Sequence, residues 1–153
     1  MRTIASELLE PSNDVTWLVC ERDSRWADAA RRFSPEGLID PWIPVVISCE
    51  AADIPNRIAR HRMAKLGPPR RIPMIVLWEL TPKSIAGQCR VITQLRLAFP
   101  TVIQLAGLTR IPGSMWTAIS ELGVSIMLPD PEALQNVART VNQRAFLAPA
   151  CLG

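Results

Sequence analysis

The strongest constraint on how this chain can fold is a repeated alternation of strand-like and helix-like segments. In the last third, the apolar run Thr101 to Leu105 is followed by a helix-like segment, then Gly123, a second strand-like run from Val124 to Leu128, Pro129 and a final amphipathic helix. The earlier blocks follow the same order. The chain therefore reads as a single doubly wound α/β domain, with a five-stranded parallel sheet and helices on both faces.

The bulk numbers agree with that class. A chain of 153 residues buries roughly 70% of the surface its unfolded form exposes, so a core of this size needs no cross-links. Hydrophobic residues make up 48% and charged residues 20%, which argues against both a disordered and a membrane class. The longest apolar runs, such as Met74 to Trp78, are far shorter than the roughly 20 residues of a spanning helix. Met1 to Glu10 contains Arg2, Glu7 and Glu10 and no long apolar stretch, so no secretory signal is expected and a cytoplasmic location is. A net charge of +3 permits an anionic partner without demanding one. Cys20, Cys49, Cys89 and Cys151 lack the close spacing of metal or redox motifs and are expected to act as small buried hydrophobes.

Val15 to Cys20 is expected to form a central strand, followed by a helix that Asp23 or Ser24 caps and that buries Trp26, Ala29, Ala30 and Phe33. Pro44 opens the second strand, Val45 to Cys49, and marks it as an edge, where a missing backbone donor is tolerated. A helix from Ala52 to Leu66 comes next, with Asp53 as its cap and Gly67-Pro68-Pro69 as its end. Met74 to Leu80 is the third strand. Ser84 to Phe99 is a helix with Ile85, Cys89, Ile92 and Leu95 inward and Gln88 outward. Asp130-Pro131-Glu132 starts the last helix. Residues 1–13 read as a lead-in, 14–147 as the domain and 148–153 as a loose tail. Right-handed crossovers and a second strand at the edge favour the order 2-1-3-4-5, which places a crevice above strands one and three, lined by residues after Cys20 and Trp78.

The text Ala118-Ile119-Ser120-Glu121-Leu122-Gly123-Val124-Ser125-Ile126-Met127-Leu128-Pro129, set in this alternation, resembles the fourth helix, fifth strand and closing proline of response-regulator receiver domains. The resemblance covers roughly Asp14 to Leu147. It implies a flavodoxin-like fold and a set of site positions: acids after the first strand for magnesium, an aspartate after the third to accept a phosphoryl group, a hydroxyl after the fourth and a lysine after the fifth. Here those positions read Glu21, Arg22 and Asp23, then Trp78 or Glu79, then Ala106 with Thr109 further along, then Leu128. The resemblance thus implies a pseudo-receiver that lacks the phosphoryl chemistry, with no metal, no cofactor and no enzymatic activity. Arg22 and Glu79 are expected to fill the vacated space as an ion pair.

Other clusters point to partners. Arg57, His61 and Lys65 fall four apart on the second helix, with Arg60 beside them, and form either a solvated face or a patch for an anionic partner. No RNA-binding aromatic signature accompanies them, so nucleic acid is an unlikely partner. Among the five tryptophans, Trp17 and Trp26 fit the core, whereas Trp42, Trp78 and Trp116 fall near loops or element starts. Met115 and Trp116 form the preferred contact patch, since receiver-like domains pair through the face of the fourth helix, fifth strand and fifth helix; equally, Trp116 caps the core. Neither GxGxxG nor GxxxxGK[ST] occurs. The expected function is phosphorylation-independent signalling through protein contacts, a homodimer through the fourth-helix to fifth-helix face being one such contact. The alternatives are a small-molecule or nucleotide-binding flavodoxin-like protein, phosphoryl transfer retained at Glu79, and nucleic-acid contact through the second helix.

Overall fold

Continuous β-branched and apolar runs form strands buried on both faces, and the computed structural model arranges them as one parallel sheet. It describes residues 13–63 and 73–147. The strands are β1 (Asp14–Cys20), β2 (Ile43–Ser48), β3 (Met74–Leu80), β4 (Ile103–Leu108) and β5 (Ile126–Leu128), in the order β2-β1-β3-β4-β5. Every neighbouring pair is parallel. The helices are α1 (Arg25–Phe33), α2 (Ile54–Met63), α3 (Ile85–Ala98), α4 (Trp116–Glu121) and α5 (Leu134–Leu147). The fold is the flavodoxin-like α/β architecture, and no helix of the described residues is long and apolar enough to cross a membrane.

Alternation of side chains along each strand divides the interior into two cores. In the first, Trp26, Ala30 and Phe33 of α1 and Leu134, Ala138 and Val141 of α5 pack on Val15, Trp17, Val19, Ile75, Leu77 and Leu105. In the second, Ile54 and Ile58 of α2, Ile92 and Leu95 of α3 and Ile119 of α4 pack on Leu18, Val76, Trp78, Leu80 and Ala106. Pro44 stands opposite Val15 on β2, whose outer side has no strand partner among the described residues, in line with its edge assignment. Gly123, at φ +121, follows α4, and Asp130 caps the turn into α5 by accepting the Ala133 N–H at 2.9 Å.

Several local expectations are corrected. α1 has Ser24 at its N-cap position, but that side chain makes no capping bond. Glu21 does so instead. The second helix is preceded by a tight turn, Ala51–Asp53, and Asp53 does not cap it; the Asp53 N–H bonds the Glu50 carbonyl. Gln88 faces inward, because its amide and carbonyl find partners in Cys20 and Ser84. Trp78 is fully buried. β4 begins at Ile103 and runs to Leu108, three residues past its expected end, because Ala106 and Gly107 pair in register with Trp78 and Glu79. The lead-in through residue 12, the Gly67-Pro68-Pro69 helix end and the tail 148–153 lie outside the described residues.

Candidate functional site

The parallel strands all end on one side of the sheet, so the turns after β1, β2, β3 and β4 meet there. Between them lies an open cleft of about 680 Å³. Glu21 and Arg22 reach it from the β1 turn, Glu50 and Ala51 from the β2 turn, Glu79, Lys83 and Ser84 from β3 and its turn, and Thr109 and Arg110 from the end of β4. Among the described residues, three carboxylates therefore share the cleft with three cations. Arg110 holds φ +59, a left-handed conformation uncommon for a residue with a side chain.

Glu21 is committed to the helix that follows it. Its two carboxylate oxygens accept the Trp26 N–H at 2.8 Å and the Ala27 N–H at 2.6 Å, satisfying two donors that the first turn of α1 leaves free. Burial raises the Glu21 carboxyl above its ordinary value, the two N–H bonds act in the opposite direction, and the nearby Glu79 and Asp23 add to the rise. Glu79 is buried, and the Thr109 hydroxyl donates to it at 3.4 Å. Behind it, Gly107 lies opposite Glu79 in the β3–β4 register, and the Trp26 indole occupies the space where a Gly107 side chain would project. On the other wall, Ser84 accepts the Thr81 N–H, donates to Gln88, and Gln88 donates to the Cys20 sulfur at 3.3 Å.

The sequence-derived site residues are only partly brought together. Glu21, Arg22 and Glu79 line the cleft, whereas Asp23 is exposed outside its lining. Arg22 and Glu79 form no ion pair with each other, contrary to expectation: Glu21 rather than Arg22 closes the start of α1, and Thr109 meets Glu79. Trp78 and Ala106 turn into the second core, where the Trp78 indole N–H donates to Gln104 at 2.9 Å. Leu128 sits in the first core. The residues missed by sequence reasoning are Glu50, Lys83, Ser84 and Arg110, on turns whose direction periodicity does not report, and Gln88, which helical spacing places on the wrong side; the signal for Thr109 is its hydroxyl beside the strand end.

A magnesium ion, which the receiver resemblance implies, does not fit these residues. Both Glu21 oxygens already accept backbone donors, and Arg22, Lys83 and Arg110 bring positive charge to the same cleft.

Elsewhere, Met115 is exposed and Trp116 is half-buried against the second core, its indole N–H directed to the Ile111 carbonyl at 3.5 Å. Trp42 is half-buried, edge-on to Phe146. Arg57, Arg60 and His61 line a separate shallow groove of about 330 Å³ beside Thr16, Leu18 and Ile47. Lys65 lies outside the described residues.

No protein-family model matches the chain, and no curated protein matches it. Solved structures do. A CheY-like protein (tadZ) from Pseudomonas aeruginosa PAO1 aligns with a TM-score of 0.62 at 12% identity, over 83% of this chain and 92% of that one. A pilus assembly-related protein from Burkholderia pseudomallei K96243 gives 0.59 at 20%, over 89% and 95%. The response regulator RPA3017 in red light signaling of R. palustris gives 0.54 at 16%, over 82% and 90%. At these identities the likeness is one of fold: the chain has the receiver-like form of the flavodoxin fold.

Proposed function

We propose that residues 14–147 act as a pseudo-receiver, a signalling domain that works through protein contacts and without phosphorylation. The observation that carries this reading is the commitment of Glu21: of the two acids expected to hold a metal, Glu21 is engaged by the start of α1 and Asp23 stands outside the cleft lining. Trp78 and Ala106, at the acceptor and hydroxyl positions, are core residues, which supports the same reading. On it the protein is not an enzyme, needs no cofactor or metal, and works in the cytoplasm. Its contact patch is Met115 with Trp116, on the face built from α4, β5 and α5, and a second copy of the chain is one partner such a face would take. Two of the similar folds carry pilus-assembly or tadZ descriptions, so a place in a pilus-assembly system is the narrower form of the proposal.

The test is intact mass after incubation with magnesium and a small acyl-phosphate donor, beside the same reaction on Glu79→Ala. An unmodified chain is expected in both. A phosphoryl adduct lost in the variant would replace the pseudo-receiver reading with an unconventional phosphorylation switch. The volume of the cleft favours a second reading, since about 680 Å³ lies within the range of small-molecule sites. On that reading the cleft's mixed charges would hold a small polar ligand, and a thermal-shift screen of metabolites and nucleotides would find it.

A further inference from the structure

Cys20 and Cys49 end neighbouring parallel strands. Val19 stands opposite Ser48, and the Cys49 N–H donates to the Val19 carbonyl at 3.0 Å, so the ladder continues one step and sets Cys49 beside Cys20. In-register neighbours on adjacent strands stand about 4.8 Å apart, inside the roughly 4.4–6.8 Å between Cα atoms that a disulfide spans. The two side chains also share a face, since Cys20 belongs to the second core and Cys49 packs against it. Both are free thiols, and both line the cleft. Cys89, on α3, is not part of that lining.

We propose that Cys20 and Cys49 are a modification site, a dithiol that closes to a reversible intramolecular disulfide at the cleft, with a low-molecular-weight disulfide as oxidant. Cys49 is half-buried and Cys20 buried, so the reagent meets Cys49 first. The Cys49 thiolate attacks one sulfur of the oxidant, the oxidant's S–S bond breaks, and one small thiol leaves with a proton. Cys20 then attacks the Cys49 sulfur of the mixed disulfide and expels the second small thiol. The protein loses two hydrogens and two electrons are transferred, and the oxidant is reduced to two thiols.

The surroundings set the pace and the consequence. Burial pushes the Cys49 thiol up to about 11, with Cys20 and Asp53 adding to the rise and Arg57 opposing it. Burial also raises the Cys20 thiol, as do Glu50 and Glu79, while the Gln88 bond and the Ala51 backbone act against it. Closure is therefore slow near neutrality and faster in alkali. Glu50 and Ala51 follow Cys49 directly and line the cleft, and Gln88 is bonded to the sulfur that reacts. The bond would tether the free edge strand and release Gln88, reshaping one wall of the cleft.

The experiment treats the full chain with excess glutathione disulfide at mildly alkaline pH, followed by acid quench, alkylation, intact mass and peptide mapping. Of the four cysteines, two should become unavailable to alkylation until a reductant is added, and a single cross-linked peptide pair should join Cys20 to Cys49. Cys20→Ser should instead stop at a glutathione adduct on Cys49. A wild-type chain that also stops at that adduct, a bond involving Cys89 or Cys151, or four unchanged thiols while a control dithiol peptide is oxidised would each overturn the proposal.

Discussion

The indole of Trp26 fills the space that a side chain at Gly107 would need. A Cβ built on Gly107 falls within overlap distance of the Trp26 ring atoms, so α1 approaches β4 more closely there than any other residue type would permit. Gly107→Ala should destabilise the protein by about 1–3 kcal/mol through overpacking. Urea unfolding of the variant would check this, with the midpoint falling and the slope unchanged.

Glu21 offers a prediction in which two physical effects oppose each other. Glu21→Ala removes the acceptors for the Trp26 and Ala27 N–H groups and should cost about 1 kcal/mol, the usual size of a lost cap. Because burial holds the folded-state carboxyl above its ordinary value of 4.5, the folded state binds its proton more tightly than the unfolded chain does. That contribution to stability is complete below pH 4.5 and is lost as pH rises through the folded value. The advantage of wild type over Glu21→Ala should therefore shrink from acid toward neutral pH. A growing advantage would mean that the two N–H bonds outweigh burial.

The Cys49 thiol should be alkylated slowly and with an unusual pH profile. With its ionisation displaced to about 11, only about one thiol in a thousand is ionised near pH 8, and the iodoacetamide rate should rise about tenfold per pH unit up to that value. An ordinary thiol levels off near pH 9. Residue-resolved alkylation from pH 7 to 10, read by mass spectrometry, separates the two.

Gln104 bridges the sheet and α3 inside the second core, accepting from the Trp78 indole at 2.9 Å and donating to the Ile92 carbonyl at 3.1 Å. Gln104→Leu leaves both groups buried without that partner, and the loss should be about 1–3 kcal/mol. Gln104→Glu should be worse still, because it keeps the acceptor and buries a charge in place of the donor. Thermal unfolding of the pair ranks them.

The architecture was legible because it rests on long-range regularities. Pro44 marked β2 as an edge, and the handedness of crossovers then limited the winding to the order found. The site was less legible because it depends on where strands stop and which way each side chain points. Ala106 and Gly107 have weak strand preference, so β4 looked finished at Leu105, yet pairing with β3 carries it to Leu108 and brings Thr109 to Glu79. Trp78 belongs to a run with no polar alternation, which conceals its direction. The polar Gln104 in the adjacent strand was the available clue. Gln88 looked outward by helical spacing, and only the Cys20 sulfur and the Ser84 hydroxyl across the turn account for its burial.

The bond between Trp78 and Gln104 also decides where the third strand can carry an acid. Giving the third strand an aspartate at position 78 would discard an indole that fills the second core, strand Gln104 and put a charge among Leu18, Val76 and Ile92. A single substitution there damages the scaffold before any new chemistry appears. An acid near the end of this strand is accommodated one residue further on, at Glu79, where the alternation of the strand turns the side chain to the cleft instead of the second core.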